Sequence, residues 1–125
     1  MTDGEQIRAT IQTYFDCMYE SSAAKAHAAF HENAKITGYL PNGLAQMSVT
    51  DFADFVASQP SGKDAGETAF LEVVSLDIAG KTAIARVRDD YLGNRFLDTL
   101  SFLNENDEWR IYNKLFHVEG KAGAD

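Results

Sequence analysis

Apolar side chains recur at spacings of three and four along residues 3–20, and this period predicts a helix with one buried face. Polar residues such as Glu5 and Asp16 fall on the opposite side of the helix. A side-chain oxygen of Thr2 or Asp3 is suited to cap its first turn. The apolar stripe consists of Ile7, Ile11, Tyr14, Phe15 and Met18.

A second, shorter helix is predicted over residues 23–30, a segment rich in alanine, with Ser22 as its N-cap. His27 and Phe30 share one face of this helix, so His27 is expected to point toward the interior. A helix of such small residues can equally well rotate His27 to solvent. Both orientations stay open at this point.

A β-hairpin and a third helix follow in the predicted order. A turn at residues 32–34 leads into a strand over residues 35–39, and the Pro-Asn-Gly turn at residues 41–43 reverses the chain into a second short strand. The third helix begins at residues 48–50, and Pro60 ends it.

From residue 68 onward the apolar period falls to about two, and β-branched and aromatic residues dominate. The connections between these segments are short, which predicts a meander of consecutive antiparallel strands. We expect the residues after Glu119 to be frayed, because they have nothing to bury. The predicted strands span residues 68–78, 82–91, 95–104 and 108–117.

The last two predicted strands carry large apolar residues on both faces, so their pairing decides what is buried. We assume that the turn between them pairs Leu103 with Trp109. On this register the helices cover Trp109, Ile111 and Leu115. The pairs that follow include Asp98 with Lys114 and Thr99 with Asn113.

This register leaves a second apolar face on the side of the sheet away from the helices. A monomer rarely exposes such a patch, so the pattern predicts an isologous homodimer through the outer sheet face. The residues predicted for this interface are Ile84, Leu100, Phe102, Tyr112 and Phe116.

Composition limits the chain to one domain and to few classes of partner. We expect a single domain over residues 1–125 with an ordered core at about residues 4–119. The formal charge of −8 argues against nucleic acids and anionic membranes as partners. No apolar run is long enough to span a membrane, and the N-terminus lacks a signal-peptide pattern, so we expect a soluble, cytoplasmic protein.

Two segments of the chain resemble one protein superfamily. Residues 30–38, Phe-His-Glu-Asn-Ala-Lys-Ile-Thr-Gly, resemble the Phe-His-Pro-Asp-Ala stretch that leads into the first strand of nuclear transport factor 2-like proteins. Residues 109–117, Trp-Arg-Ile-Tyr-Asn-Lys-Leu-Phe-His, are similar to the ending of the SnoaL-like branch named Putative lumazine-binding. The resemblance implies an α+β, cone-shaped nuclear transport factor 2-like fold, with N-terminal helices packed on a curved, mostly antiparallel sheet.

The resemblance also implies a ligand pocket between helices and sheet, where enzymes of this superfamily place a carboxylate or histidine base. Fold alone does not transfer such roles. The catalytic candidates in this chain are His117, Asp98 and Tyr14. For Asp98 the favoured interpretation is a cross-strand ion cluster with Lys114 and Arg88, although a one-residue slip would turn it inward as the leading base.

A wider set of polar residues is expected to contact a ligand. Tyr14 and Tyr39 are expected to be hydrogen-bond donors at the pocket, with an aromatic wall as the alternative. Uncharged polar groups among Trp109, Ile111 and Leu115 need partners once buried. Each has a structural alternative, such as a backbone hydrogen bond or a Thr99–Asn113 pair. The ligand-binding candidates are Tyr14, His27, Tyr39, Thr99, Asn113 and His117.

No cofactor or metal site is predicted. His27 and His31 have the spacing of zinc ligands on a helix, but the predicted helix ends between them. A glycine-rich phosphate loop is absent from the sequence. The single cysteine, Cys17, lacks a His or Asp partner nearby in sequence and is assigned to packing.

The sequence therefore supports three functions and does not decide whether the protein is an enzyme. The first is binding of an apolar or aromatic small molecule between helices and sheet. The second is a proton-transfer enzyme of the isomerase, cyclase or dehydratase type. The third is a structural or protein-interaction module.

Overall fold

Three helices cover one face of a six-stranded sheet in the computed structural model, which describes residues 1–123. The strands lie in the order β2-β1-β6-β5-β4-β3. The helices are α1 (Asp3–Tyr19), α2 (Ala23–Ala29) and α3 (Val49–Ala57). The strands are β1 (Phe30–Leu40), β2 (Gly43–Ser48), β3 (Leu71–Ala79), β4 (Thr82–Tyr91), β5 (Asn94–Glu105) and β6 (Glu108–Lys121).

Side-chain caps fix where the three helices begin, as the sequence predicts. Thr2 and Glu5 form a reciprocal capping box, in which the Glu5 N–H donates to Thr2 Oγ1 at 3.1 Å. Ser22 and Ser48 cap α2 and α3 through their hydroxyls. Helix α2 ends at Ala29 because the chain enters β1 directly at Phe30, so the predicted turn at residues 32–34 is wrong.

The sheet confirms the predicted α+β architecture. Strands β3 to β6 form a consecutive antiparallel meander, β1 and β2 form an antiparallel hairpin, and β1 runs parallel to β6. The last strand is longer than expected, because Gly120 and Lys121 pair with Arg95 and Asn94. The prediction of fraying after Glu119 is therefore wrong for these residues, and for residues 124–125 it lies outside the described part of the chain.

A two-residue turn at Asn106 and Asp107 joins β5 to β6, with φ angles of 54° and 64°. Turns with two positive φ angles match the right-handed twist of a hairpin, and here they fix the pairing of the strands. Leu103 pairs with Arg110, so the predicted pair of Leu103 with Trp109 is wrong by one position.

A β-bulge then shifts the pairing once more. Phe102 pairs with Ile111, but Ser101 pairs with Asn113, which leaves Tyr112 as the extra residue of β6. Before the bulge, Trp109 and Ile111 of β6 face the helices. Beyond it, Lys114 and Phe116 do so instead. The new pairs are Leu100 with Lys114, Thr99 with Leu115 and Asp98 with Phe116, and they replace the predicted Asp98–Lys114 and Thr99–Asn113 pairs.

The observed register puts Leu100 and Phe102 in the core, where they are 0% and 1% exposed. Their predicted place at an outer interface is therefore wrong, and the half-buried Phe116 also packs against the core. Ile84 and Tyr112, the other two residues predicted for that interface, are exposed.

Trp109 is buried as expected, and its indole N–H donates to Asp3 Oδ1 at 3.0 Å. This bond ties the start of α1 to the start of β6. The rest of the core lies between the inner faces of β1, β4, β5 and β6 and the three helices, including the apolar stripe of α1. Ile7, Ile11 and Tyr14 of that stripe are fully buried, as their spacing predicts.

Candidate functional site

A cavity of about 190 Å³ lies between α3, the β1–β2 hairpin and the inner face of the sheet. Its position is that of the pocket expected between helices and sheet. Tyr91, Asn94 and Lys114 are its polar lining residues, and Lys114 is the charged one. The apolar walls include Ile36, Met47, Phe52, Phe55, Phe96 and Phe116.

Two larger grooves, of about 490 and 470 Å³, run along the surface near the end of β6. Several of their charged residues already pair with one another. Arg88 contacts Glu72 at 3.3 Å and Glu119 at 2.8 Å, and Arg95 contacts Asp90 at 2.9 Å. We therefore place the candidate site in the smaller, apolar cavity.

Lys114 is 5% exposed, an unusual burial for an ammonium group. Its Nζ atom lies 4.7 Å from the ring centroid of Tyr14, 4.8 Å from that of Phe52 and 5.8 Å from that of Phe116. Ring faces attract a cation at these distances, so they offset part of the cost of burial. The predicted exposed ion cluster of Lys114 with Asp98 is wrong, because the bulge turns Lys114 inward.

Behind this lysine, the phenol of Tyr14 donates to Oδ2 of Asp98 at 2.5 Å. Asp98 is 0% exposed, so the register sends it inward, as the one-residue slip considered above would do. Burial, and then the charges of Asp89 and Asp98, raise the pKa of Tyr14 well above its ordinary value. The phenol therefore keeps its proton and acts as a donor.

Asp89 on β4 forms a carboxyl pair with Asp98. It is 1% exposed, and burial together with the neighbouring Asp98 charge raises its pKa well above the ordinary value, while Lys114 opposes the rise. Neither oxygen of Asp89, nor Oδ1 of Asp98, meets a donor among residues 1–123. A proton on Asp89 resolves this, because its O–H can then donate to Asp98.

Two further polar groups complete the interior. The hydroxyl of Tyr91 is buried with no hydrogen-bond partner in the described chain, and burial raises its pKa. Burial also raises the pKa of the Cys17 thiol to about 12, so Cys17 is not a nucleophile in the folded protein. Within residues 1–123, no three His, Cys, Asp or Glu side chains are placed to hold a metal ion.

Of the residues predicted for the site, Tyr14 and Asp98 meet in the interior. The others lie elsewhere. His27 is exposed on α2, because the buried face of that helix is formed by Ala26 and Ala29. Beyond the bulge, Asn113 and His117 of β6 face outward, and so does Thr99 of β5, which pairs with the exposed Leu115. Tyr39 is 72% exposed on β1.

Sequence reasoning missed Asp89, Tyr91 and Lys114. For Asp89 and Tyr91 a signal was present. Every second residue from Ala83 to Val87 is small and apolar, and the same alternation places Asp89 and Tyr91 on the inner face of β4. Asp89 is 1% exposed, so it is not a solvated surface charge. Lys114 could not be placed without the bulge.

The chain matches a protein family over nearly its whole length. Residues 2–117 match the model of the family described as "Putative lumazine-binding". The chain belongs to this family. No curated protein shows a significant match to it.

Solved structures similar to this family member carry the same fold. A nuclear transport factor 2-like protein of unknown function from Silicibacter pomeroyi is 25% identical, with a TM-score of 0.86 over 95% of this chain and 100% of that one. One from Methylobacillus flagellatus is 28% identical, with a TM-score of 0.84 over 94% and 93% of the two chains. A cystatin-like domain of unknown function from Nostoc punctiforme, 17% identical, has a TM-score of 0.73 over 94% and 77%.

These comparisons confirm the nuclear transport factor 2-like fold and the family expected from residues 30–38 and 109–117. Among the described helices of this family member, none combines the length and the apolar character that a membrane crossing needs.

Proposed function

We propose that this protein binds a small apolar molecule in the cavity between its helices and its sheet. The observation that carries the proposal is a cavity of about 190 Å³ with aromatic and aliphatic walls and two polar groups, Tyr91 and Lys114, that lack hydrogen-bond acceptors within residues 1–123. Binding sites for small molecules combine apolar walls with a few polar groups in this way. Membership of the family and its fold support binding in this region.

A blocking variant at the cavity mouth tests this proposal. Leu40 lines the cavity and is 40% exposed, so Leu40→Trp should fill the mouth at little cost to the fold. The matched control is Leu44→Trp on the neighbouring strand β2, where Leu44 is 64% exposed and lies outside the cavity lining.

The readout is thermal stabilisation by small polycyclic, pterin-like and lipid-like compounds. A ligand present at 100 times its Kd adds about 2.7 kcal/mol to the free energy of unfolding. We expect a compound that stabilises the wild type and Leu44→Trp, and that binds Leu40→Trp at least about tenfold more weakly. Failure of every compound class on the wild type would contradict the proposal.

A second candidate function is proton transfer, and the Asp89–Asp98 pair beside Tyr14 favours it. Acid–base catalysis uses two titratable groups whose environments make their pKa values differ, and burial raises the pKa of Asp89 here. The ketone 2-tetralone in D₂O tests this function. This function requires the ketone to reach Asp98, which is fully buried and lies outside the cavity lining. If Asp98 removes a proton from the carbon next to the ketone carbonyl and solvent returns a deuteron, exchange is faster than in buffer, and Asp98→Asn should abolish it. Exchange no faster than in buffer would leave binding as the function.

We also propose that two copies of the chain associate through the outer face of the sheet. Ile84, Tyr112 and Leu115 are exposed apolar residues of β4 and β6, at 47%, 36% and 55%. No described element covers that face, and a monomer gains by burying such side chains. The cytoplasmic location expected from the sequence stays a prediction.

A further inference from the structure

The ammonium group of Lys114 has no hydrogen-bond acceptor and no carboxylate within ion-pair distance among the described residues. Tyr14, Phe52 and Phe116 supply ring faces, which attract the charge but accept no conventional hydrogen bond. A lysine ammonium carries three N–H donors, and a buried donor without an acceptor costs free energy. Lys114 is thus a nearly buried cation in the wall of a cavity, with unused donors on an Nζ atom that is not itself fully buried.

The charges around Lys114 favour an anion in that cavity. Lys114 is the charged residue among those that line it, whereas Asp89 and Asp98 do not belong to the lining. Burial and the neighbouring Asp98 raise the pKa of Asp89 well above its ordinary value, which favours a proton shared within the pair, and the Tyr14 hydroxyl already donates to Asp98. Cys17 remains a neutral thiol, and no other described carboxylate lines this cavity.

Resting on the proposed binding function, we propose that the ligand is a small apolar monoanion, such as an aromatic carboxylate, whose oxygens accept hydrogen bonds from Lys114 Nζ. Charge-assisted hydrogen bonds of this kind are about twice as strong as neutral ones. Tyr91 lines the same cavity with an unpartnered hydroxyl and is a second donor for the ligand. The volume of about 190 Å³ is below the ~300 Å³ at which drug-sized pockets begin, so the apolar body is small.

Two probes of the same shape and different charge test the proposal. At pH 7, 2-naphthoate is an anion and 2-naphthamide is neutral, and isothermal titration calorimetry compares their Kd values. We expect 2-naphthoate to bind the wild type at least about tenfold more tightly, which corresponds to ~1.4 kcal/mol. This comparison needs no variant, so a folding defect cannot obscure it.

Three variants then assign the preference to Lys114. Lys114→Met keeps the length of the side chain without the charge and should lose the preference for 2-naphthoate, whereas Lys114→Arg should keep a preference. The matched control is Lys35→Met, because Lys35 is exposed on β1 and faces the opposite side of the sheet, and it should bind both probes like the wild type.

Each outcome has one meaning. Equal binding of both probes to the wild type overturns the anion preference and leaves the proposed binding function standing. A preference that persists in Lys114→Met, with normal folding by circular dichroism, overturns the role of Lys114. Binding of neither probe, together with failure of the compound screen, contradicts both proposals.

Discussion

The hydroxyl of Tyr14 donates to Oδ2 of Asp98 at 2.5 Å, and this bond joins helix α1 to strand β5 across 84 positions of the sequence. Both residues are fully buried. A buried carboxylate needs donors, and the Tyr14 hydroxyl supplies the one to Oδ2, while Oδ1 depends on the proton of the neighbouring Asp89. The bond therefore contributes both to the stability of the cone and to the charge state of its interior.

Replacing this phenol tests the contribution directly. Tyr14→Phe removes the donor to Oδ2 of the buried Asp98, while the ring and its packing remain. Hydrogen bonds to charged groups contribute about 1.5–3 kcal/mol, so the variant should lose that amount of unfolding free energy. Urea denaturation measures the loss. Tyr39→Phe is the control, because Tyr39 is 72% exposed, and equal stabilities of the two variants would contradict the prediction.

The raised pKa of Asp89 predicts an unusual dependence of stability on pH. In the unfolded chain an aspartate titrates near ~3.9, but in the folded protein burial and Asp98 hold the proton to higher pH. Between these two pKa values folding takes up a proton, so this group makes the protein less stable as pH rises, by at most ~1.4 kcal/mol per pH unit. Below the unfolded pKa both states are protonated and the effect vanishes.

Asp89→Asn isolates this effect, because the amide stays neutral and still offers a donor to Asp98. The variant should gain stability relative to the wild type as pH increases from about 4 to 8, in urea denaturation at several pH values. Asp77→Asn is the control, since Asp77 is exposed on β3 and should show no such gain. A difference between Asp89→Asn and wild type that is constant with pH would contradict the raised pKa.

Local signals explain what could be predicted from the sequence. The capping residues Thr2, Ser22 and Ser48 and the helical period mark α1, α2 and α3 without any tertiary information. Short turns likewise determine the meander of β3 to β6.

The bulge at Tyr112 explains what could not be predicted. Strands β5 and β6 are apolar on both faces, so alternation gives no preference between the two registers, and an extra residue reverses the inner and outer faces of half a strand. That reversal brings Lys114 inward and turns His117 outward. The candidate site therefore depends on a tertiary feature, although Tyr14 and Asp98, which lie behind Lys114, were singled out from the sequence.

Gly38 marks a close approach between β1 and β6, and its replacement should destabilise the cavity wall. A Cβ at this position would lie 2.5 Å from both the ring and the carbonyl oxygen of Phe116. The paired backbone of β6 cannot move away freely, so Gly38→Ala should cost about 1–3 kcal/mol in urea denaturation. Gly4→Ala is the control and should gain stability, by up to ~1 kcal/mol. A Cβ at Gly4 would lie 4.0 Å from its nearest neighbour, and alanine favours a helix over glycine. Gly38→Ala as stable as wild type would contradict the close approach.

Association through the outer sheet face can be tested at Leu115, which is 55% exposed and pairs with Thr99. Sedimentation equilibrium of the wild type at micromolar concentration should show a dimer. Leu115 lies on β6, a central strand of the sheet, so an interface of standard size, about 800 Å² per partner, centred on this face would bury it. Leu115→Lys places a charge on that face and should weaken association at least about tenfold. Ala24→Lys, on the exposed face of α2, should leave the dimer unchanged. A wild type that sediments only as a monomer would leave the outer face free for a different protein partner and would end the homodimer proposal.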